Sequence, residues 1–504
     1  MKNLKIKKML TSNFYKTLVL VLLGTFVTVS CHDQLLNPDP ESVLTTANFF
    51  NTADDIDSGV LGIYHQLQFR IPRDYMVMEV PTDNIFVEYY ATSSGLEQIE
   101  VLDIATDNDE VHRFWQSTYN GIFRANSVLD NIDAPEDYLG NQKNQLTGEA
   151  KFLRAYYYFD LVRIFGGVPK ITTQQSIDEA REVPRSSEQE IYDLIIEDLT
   201  DAVDMLPSEM VHGRASKAAA EALLGKVYVY QNNYTQARGY LENVLNDYNY
   251  NLLTDFGDLF SMENEVNSEA IFSLAYVLGS NTHNLSYEFN PNQGVLGYSN
   301  RGNRTVRPTY DLHLLFDEDD SRYNVTMSED YIPAQGEPDD DPIPYPIITK
   351  YNVPNLGSDA PSLDLPVLRL ADVILLYSEV LYELEGPNQA LTQLNKVRER
   401  AFGDNTHNYE LADIATPDEF VDVLLNERRL EFVMENERWF DIVRMDKLEE
   451  ILGGELQARY DSVNGLTVTQ ELNAQDYMRY FPIPYEEITL SSPGVLEQND
   501  EYNN

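Results

Sequence analysis

The sequence predicts a mainly α fold in which tetratricopeptide-like helix pairs form a scaffold interrupted by long loops. Three observations predict it. Several long segments place apolar residues at helical spacing. One register of small and large residues recurs at separate places along the chain. A long stretch near 249–366 follows neither pattern and is rich in Tyr, Asn, Gly, Pro and Asp. Loops of that length in a folded body generally carry function.

Taken in order, Thr52-Ala53-Asp54-Asp55 reads as a helix start, followed by Ile56, Val60, Ile63, Tyr64 and Leu67 on one face. Residues 72–108 lose the period and hold Pro72, Pro81 and Ser93-Ser94-Gly95, which predicts loops. A second helix runs through Phe114, Trp115, Tyr119, Ile122, Leu129 and Ile132. A third covers about 143–165 and ends before Gly166-Gly167-Val168-Pro169, and a fourth runs from Ser187 to Leu206 and stops at Pro207. Near the other end, Thr416-Pro417-Asp418-Glu419 is a capping box that opens a helix reaching about Glu435.

The recurring register is the more specific signal. Gly225 takes the small position, with Tyr228, Ala237, Leu241 and Val244 at the repeat's offsets. Ser378, Leu381, Ala390, Leu394 and Val397 repeat it. Ala155 and Tyr158, then Leu199, Ala202 and Pro207, mark a third pair split by an insertion. Helix pairs are therefore expected near 146–207, 216–246 and 369–402, with a loop-rich binding region at 249–366.

The beginning of the chain has a different character. Lys2, Lys5, Lys7, Lys8 and Lys16 precede the apolar run Thr17 to Val29, then Ser30 and Cys31, the single cysteine. A basic start, a short apolar core and a small residue read as a secretory signal. A cysteine at that point resembles the acceptor of a bacterial lipoprotein, although Thr28 stands where Leu is usual. Residues 1–30 are thus expected to be a lipoprotein signal peptide, with Cys31 lipidated. Residues 31–45, with Asn37-Pro38-Asp39-Pro40, form a tether, and 46–504 the body.

The formal net charge is −47, and the leader holds lysines but no acids, so the rest is more acidic still. Such a field repels phosphate backbones, which argues against nucleic-acid binding, and against anionic membranes except through lipid. One cysteine permits neither an internal disulfide nor a thiolate metal cluster, and no cofactor is implied. The seven histidines form no HExxH pair, and no Gly-x-Ser-x-Gly elbow or phosphate-binding glycine loop occurs. Enzyme signatures are therefore mostly absent. Carboxylate pairs for glycoside hydrolysis remain open, because acids abound and no pair stands out.

Four segments carry a family resemblance: GEAKFLRAYYYFDLVRIFGGVP (148–169), RLADVILLYSEVLYEL with LNKVRERAF (369–402), NERRLEFVMENERWFDIVR (426–444), and FPIPYEEI with LEQNDEY (480–502). In order and spacing they resemble the SusD/RagB family of outer-membrane nutrient-binding lipoproteins. Asp500-Glu501 stand where that family has Pro-Gly. The resemblance implies the SusD/RagB fold, capture of a nutrient, most often a glycan, at the cell exterior, and a SusC-like TonB-dependent outer-membrane transporter as partner. It also implies a protein that is not an enzyme and does no chemistry on the ligand. A peptide-binding member of the family and a surface glycosidase are the alternatives.

Sugar recognition needs aromatic faces beside amides, carboxylates or arginines. Trp115 lies on an apolar stripe and Trp439 within ERWFD, so both read as core, and tyrosine must supply the platform. Two loop clusters offer one. The first is Asp83, Asn84, Tyr89 and Tyr90. The second is Tyr287, Phe289, Asn290, Tyr298, Asn300, Arg301, Arg304 and Tyr310. The resemblance places ligand contacts in these two regions without matching single residues. Arg301, Arg304 and Arg307 either hold an acidic sugar or pair with nearby carboxylates. Glu427, Arg428, Arg429, Glu431 and Arg438 read as a network locking the last helices to the scaffold. The acid runs Asp317-Glu318-Asp319-Asp320 and Asp339-Asp340-Asp341 lack the spacing of a calcium loop and read as solvated surface.

Overall fold

Apolar stripes and caps set the helices of the scaffold. The computed structural model describes residues 49–87, 94–292, 294–298, 301–329, 346–354, 362–461 and 466–502. Cys31, the leader and tether, Tyr89, Tyr90, Asn300 and the run at 339–341 lie outside the described residues.

Helix α1 (Ala53–Met78) starts at Thr52, whose side chain and that of Asp55 cap each other's backbone N–H groups. Helix α2 (Asp109–Asn131) is capped by Asn108, which accepts from the N–H groups of Glu110 and Val111. Helix α3 (Gln142–Phe165) stops at Gly166, and α4 (Glu188–Met205) opens on a Ser187 capping box. Helices α5 (Lys217–Tyr230) and α6 (Tyr234–Asn246) follow.

The region read as loop from residue 72 differs in the structure. Helix α1 continues through Pro72 to Met78, and a further helix spans Ser94–Glu100. A proline within a helix costs about 3 kcal/mol. Burial of Tyr75, Val77 and Met78 offsets that cost, and the buried Asp74 is paired with Arg70 one turn back at 3.2 Å.

The small position of the register has a steric cause. A β-carbon on Gly225 would lie 2.7 Å from Leu241 Cδ2, so a larger residue there would push Leu241 aside where α5 and α6 cross. At the corresponding place in α7 (Leu370–Glu385), the Ser378 hydroxyl donates to the Ala390 carbonyl of α8 (Pro387–Phe402) at 2.8 Å. That pair buries Leu370, Ile374, Leu375, Leu394 and Val397 against Phe420 and Leu424 of α9 (Pro417–Glu431). Each such side chain contributes roughly 1.5–3 kcal/mol by leaving water. Helix α9 ends at Glu431 rather than Glu435, because Met434 and Asn436 take positive φ (63° and 66°) before α10 (Arg438–Arg444).

Strands are short. β1 (Ile85–Val87) pairs antiparallel with β3 (Val306–Pro308), and β2 (Ala270–Leu274) with β4 (Leu365–Arg369). The second pairing closes a long excursion between residues 274 and 365 onto the helical body. β5 (Glu455–Asp461) and β6 (Leu466–Glu471) make a hairpin.

Charged residues of α9 hold these parts together. Arg322 binds Asp320, Glu427 and Glu431 at 2.7–3.0 Å, all fully buried. Glu431 also meets Arg369 and Arg400, while Glu269 bridges the same two arginines. Burial opposes the Glu431 charge, but the three arginines outweigh it and hold the carboxyl below its usual range. A second cluster joins Arg428 to Asp372 and Asp441, and Lys226 to Asp372 and Glu437. Asp320 is thus an exception to the solvated reading of its acid run, since it is buried as a partner of Arg322. Trp439 packs against Phe481 at 5.4 Å, and Phe481 N–H donates to the Ile164 carbonyl, tying the last motif to the end of α3.

Candidate functional site

The described roots of the two loop regions, Asp83–Val87 and Val306–Thr309, meet in the structure. Ile85 lies opposite Pro308, Phe86 opposite Arg307 and Val87 opposite Val306, so the chain leaving β1 at Val87 starts beside the loop that precedes β3. Pro308 fits at the end of this short pairing, where a missing N–H costs nothing to a longer ladder.

The root of this ribbon is fixed by charge. Arg438 binds Asp83 through two hydrogen bonds of 2.8 Å, and Arg429 pairs with the same carboxylate at 3.0 Å. Arg429 Nε donates to Asn84 Oδ1 at 3.0 Å, and Asn84 Nδ2 donates to Glu79 at 2.9 Å. Thr309 ties the second strand in, donating its N–H to the Asn84 carbonyl and its hydroxyl to that of Asp83. Burial pushes the Asp83 carboxyl up, but Arg429 and Arg438 outweigh it and hold it at about 2. At Glu79 burial outweighs the hydrogen bonds from Asn84 and Asn436 and the charges of Lys350 and Arg438, and raises the carboxyl to about 7.

Asp83 and Asn84 were expected to face ligand, and the structure turns them inward. Both are buried, and their polar atoms are used by the arginines of α9 and α10. A carboxylate between two buried guanidinium groups is stabilised there and would lose that stabilisation at the surface. Their part is to brace the ribbon.

The second cluster forms a tight loop. Glu288 accepts from Asn284 at 2.7 Å, Asn303 at 3.0 Å and Thr305 at 2.6 Å, drawing both ends of the loop together. A β-carbon on Gly302 would lie 2.1 Å from the Asn290 carbonyl oxygen, so the two backbones approach as only glycine allows. Asn290 is buried and bonds Asn352 at 3.0 Å, and Phe289 is buried edge-on to Tyr75 at 5.2 Å. Tyr287 and Tyr310 are half-buried, Arg304 is buried with φ +55°, and Arg301 is exposed. Arg301, Arg304 and Arg307 all take part in interactions within the protein. Tyr298, 44% exposed, is the tyrosine of this cluster that the described residues leave open.

Beside the loop lies a groove of about 380 Å³ between α1 and α2. Phe289, at the start of the loop, packs on Tyr75 of α1, whose neighbours Asp74 and Met76 line the groove. Phe69 stands 58% exposed on the groove wall, with Arg73 5.9 Å from its ring centre. Gln116, Asn120 and an Arg113–Glu110 pair at 3.2 Å supply donors and acceptors. Asp74 on the floor is raised to about 7 by burial, despite Arg70. An aromatic face next to amides and a charged pair is a sugar-binding chemistry. The sequence reading missed Phe69 and Arg73. The available signal was an aromatic out of phase with the stripe Ile56–Leu67; placing a loop at Pro72 hid it.

Trp115 and Trp439 are both buried, as their positions implied. Asp317, Asp319 and His407 bring one ligand atom each within 4.8 Å of one another at the surface. No other feature there points to an ion.

Two family models match the chain. One, described as starch-binding associating with outer membrane, matches residues 36–229; the SusD family model matches 344–502. The chain belongs to the SusD/RagB family. Two SusD-like proteins of Formosa agariphila are similar over nearly their full length. One is 28% identical, covering 89% of this chain and 93% of the relative; the other is 26% identical, covering 96% and 98%. Among solved structures, a laminarin-binding SusD-like protein aligns with a TM-score of 0.74 at 24% identity, over 90% of this chain and all of the other. Surface glycan-binding protein A from Bacteroides thetaiotaomicron, in complex with laminarihexaose, aligns at 0.73 and 20%, over 89% and 99%. These likenesses show the SusD fold. Among the described residues, no helix is long and apolar enough to cross a membrane.

Proposed function

We propose that this protein is a non-catalytic, lipid-anchored binder at the outer face of the outer membrane. It captures an oligo- or polysaccharide and hands it to a SusC-like TonB-dependent transporter. The observation that carries the reading is the β1–β3 pairing. It sets the described roots of the two loop regions side by side, and the groove between α1 and α2 bears an exposed aromatic, amides and arginines. Tyr298, Phe69, Arg73, Gln116 and Asn120 are the described side chains best placed to touch sugar. Tyr89, Tyr90, Asn300 and Arg301 are carried forward as regional candidates, and Asp83, Asn84, Tyr287 and Arg304 as their support. The family membership and the glycans named for two structural neighbours favour the same ligand class. Lipid at Cys31 is the attachment consistent with so acidic a body.

Isothermal titration against a panel of soluble polysaccharides tests the reading. Saturable binding of at least one glycan that is recovered uncut supports it. Binding of peptides alone supports the peptide-binding alternative, and release of shorter sugars supports a glycosidase.

A further inference from the structure

The groove between α1 and α2 stands apart from the rest of the chain in its charge. The chain has a formal net charge of −47, and most of the described arginines are paired with carboxylates. Three arginines, Arg70, Arg73 and Arg113, line the groove against two carboxyls, Asp74 and Glu110. Arg70 is buried and engaged with Asp74 and Asp160, and Arg113 with Glu110. Arg73 is different. It is exposed and makes no ion pair among the described residues. Burial raises Asp74 to about 7, so near neutral pH that carboxyl is only partly ionised. Arg301, Arg304 and Arg307 of the loop region, by contrast, all interact within the protein. A guanidinium fork left open in so acidic a chain is a place for an anion.

Its surroundings say what kind of anion. Phe69 and Arg73 lie one turn apart on α1, with the guanidinium 5.9 Å from the ring centre. A sugar ring laid on Phe69 therefore has its substituents within reach of the fork. On α2, Arg113, Gln116 and Asn120 line the same groove at i, i+3 and i+7. Arg124, one turn further, donates from Nε to Asn120 Oδ1 at 2.7 Å, which leaves the Asn120 amide nitrogen as the donor for a ligand. Arg124 likewise makes no ion pair among the described residues. Arg113 and Arg124 are about 16 Å apart along the helix, and the groove of about 380 Å³ suits a short oligosaccharide. The acidic remainder of the chain repels an anion, but that repulsion is damped beyond about 8 Å at physiological ionic strength, so the groove's own charges decide.

We propose that the glycan taken by this groove is anionic, with a carboxylate or sulfate group on or next to the ring that packs against Phe69, and that Arg73 binds that group. This rests on the reading of the groove as a sugar site and adds the class of sugar.

Isothermal titration of the protein in about 0.15 M salt tests it, with each anionic glycan beside its neutral form. Oligogalacturonate is paired with its methyl ester, and carrageenan oligosaccharides with their desulfated form, and laminarin is the neutral reference. The expected result is that an anionic member binds at least about tenfold tighter than its neutral form, and the pair that shows the gap tells carboxylate from sulfate. Arg73→Gln should remove the gap without moving the thermal midpoint. Lys396→Gln, which deletes a positive charge at an exposed site on α8, should leave the gap intact. Neutral forms bound as tightly as anionic ones overturn the inference and leave the sugar-binding reading standing. A gap that survives Arg73→Gln, or that Lys396→Gln reduces equally, does the same. Saturable binding of no glycan overturns both.

Discussion

The base of the ribbon and its tip are held by opposite means. At the base, Asp83 sits between Arg429 and Arg438, and behind it Glu431 joins three more arginines, all removed from water. At the tip, the loop between Phe289 and Val306 is held by Glu288, a few hydrogen bonds and a glycine contact, with Tyr298 in solvent. Charges in a low-dielectric base depend on one another, so removing one strands several. Small polar and steric fasteners at the tip fail singly. The tip can therefore change without disturbing the base.

The comparison is broken most directly at Glu431. Glu431→Ala leaves Arg322, Arg369 and Arg400 short of a buried counter-charge, and the expected loss is about 3–5 kcal/mol in urea unfolding. If it costs no more than a surface substitution, the base is not cooperative. Asp83→Asn should be milder, since Asn84 and two backbone carbonyls still engage the arginines; about 2 kcal/mol is expected.

The pH profile sharpens the same contrast. Asp74 and Glu79 are both raised to about 7 in the folded chain. Between about pH 4.5 and 7 the folded state thus binds more protons than the unfolded one, and stability rises as pH falls through that window. Asp83 has the opposite sign. Its folded pKa is depressed to about 2, so its contribution is present above its unfolded value near 4 and is lost as pH falls toward 2. Denaturant midpoints should therefore peak near pH 5, with a gain on the order of 1–3 kcal/mol over pH 7.5. Asp74→Asn should flatten the rise from pH 7.5 to 5. A midpoint that falls steadily from pH 7.5 to 5 would contradict the assignment.

The scaffold was legible because periodicity and small-residue spacing are local signals. Gly225 and Ser378 marked helix crossings that the structure explains by a near-contact with Leu241 and a bond to Ala390. The locking role of Glu427, Arg428 and Glu431 was also readable, since charges so dense on a helix with an apolar stripe must pair. The site was legible only by region. That Asp83 points inward depends on Arg429 and Arg438, far along the chain, and no local pattern announces that pairing. Pro72 misled in the other direction. Its intrinsic cost was correctly read, but long-range burial of Tyr75 and Met78 overrode it, and the groove at Phe69 went with it.

Smaller effects lie at the tip. Gly302→Ala forces a β-carbon against the Asn290 carbonyl, so the loop must shift. About 1–2 kcal/mol of stability is expected to go, together with most of the glycan affinity measured by titration. Loss of stability without loss of affinity would separate the loop from the site.

Tyr298→Ala makes the smallest structural change and the most discriminating one. The side chain is 44% exposed, so its removal should move the unfolding midpoint by less than about 0.5 kcal/mol. A ring that stacks on a sugar face contributes through that contact, and its loss should weaken binding by about tenfold, a change of ~1.4 kcal/mol. Phe69→Ala on the groove wall is the matched test, with the same small cost to folding. Equal losses from both would place one ligand across loop and groove together. A loss confined to Tyr298 would put the ligand on the loop alone, leaving the groove between α1 and α2 as a bystander, because neither substitution disturbs the charged base beneath the loop.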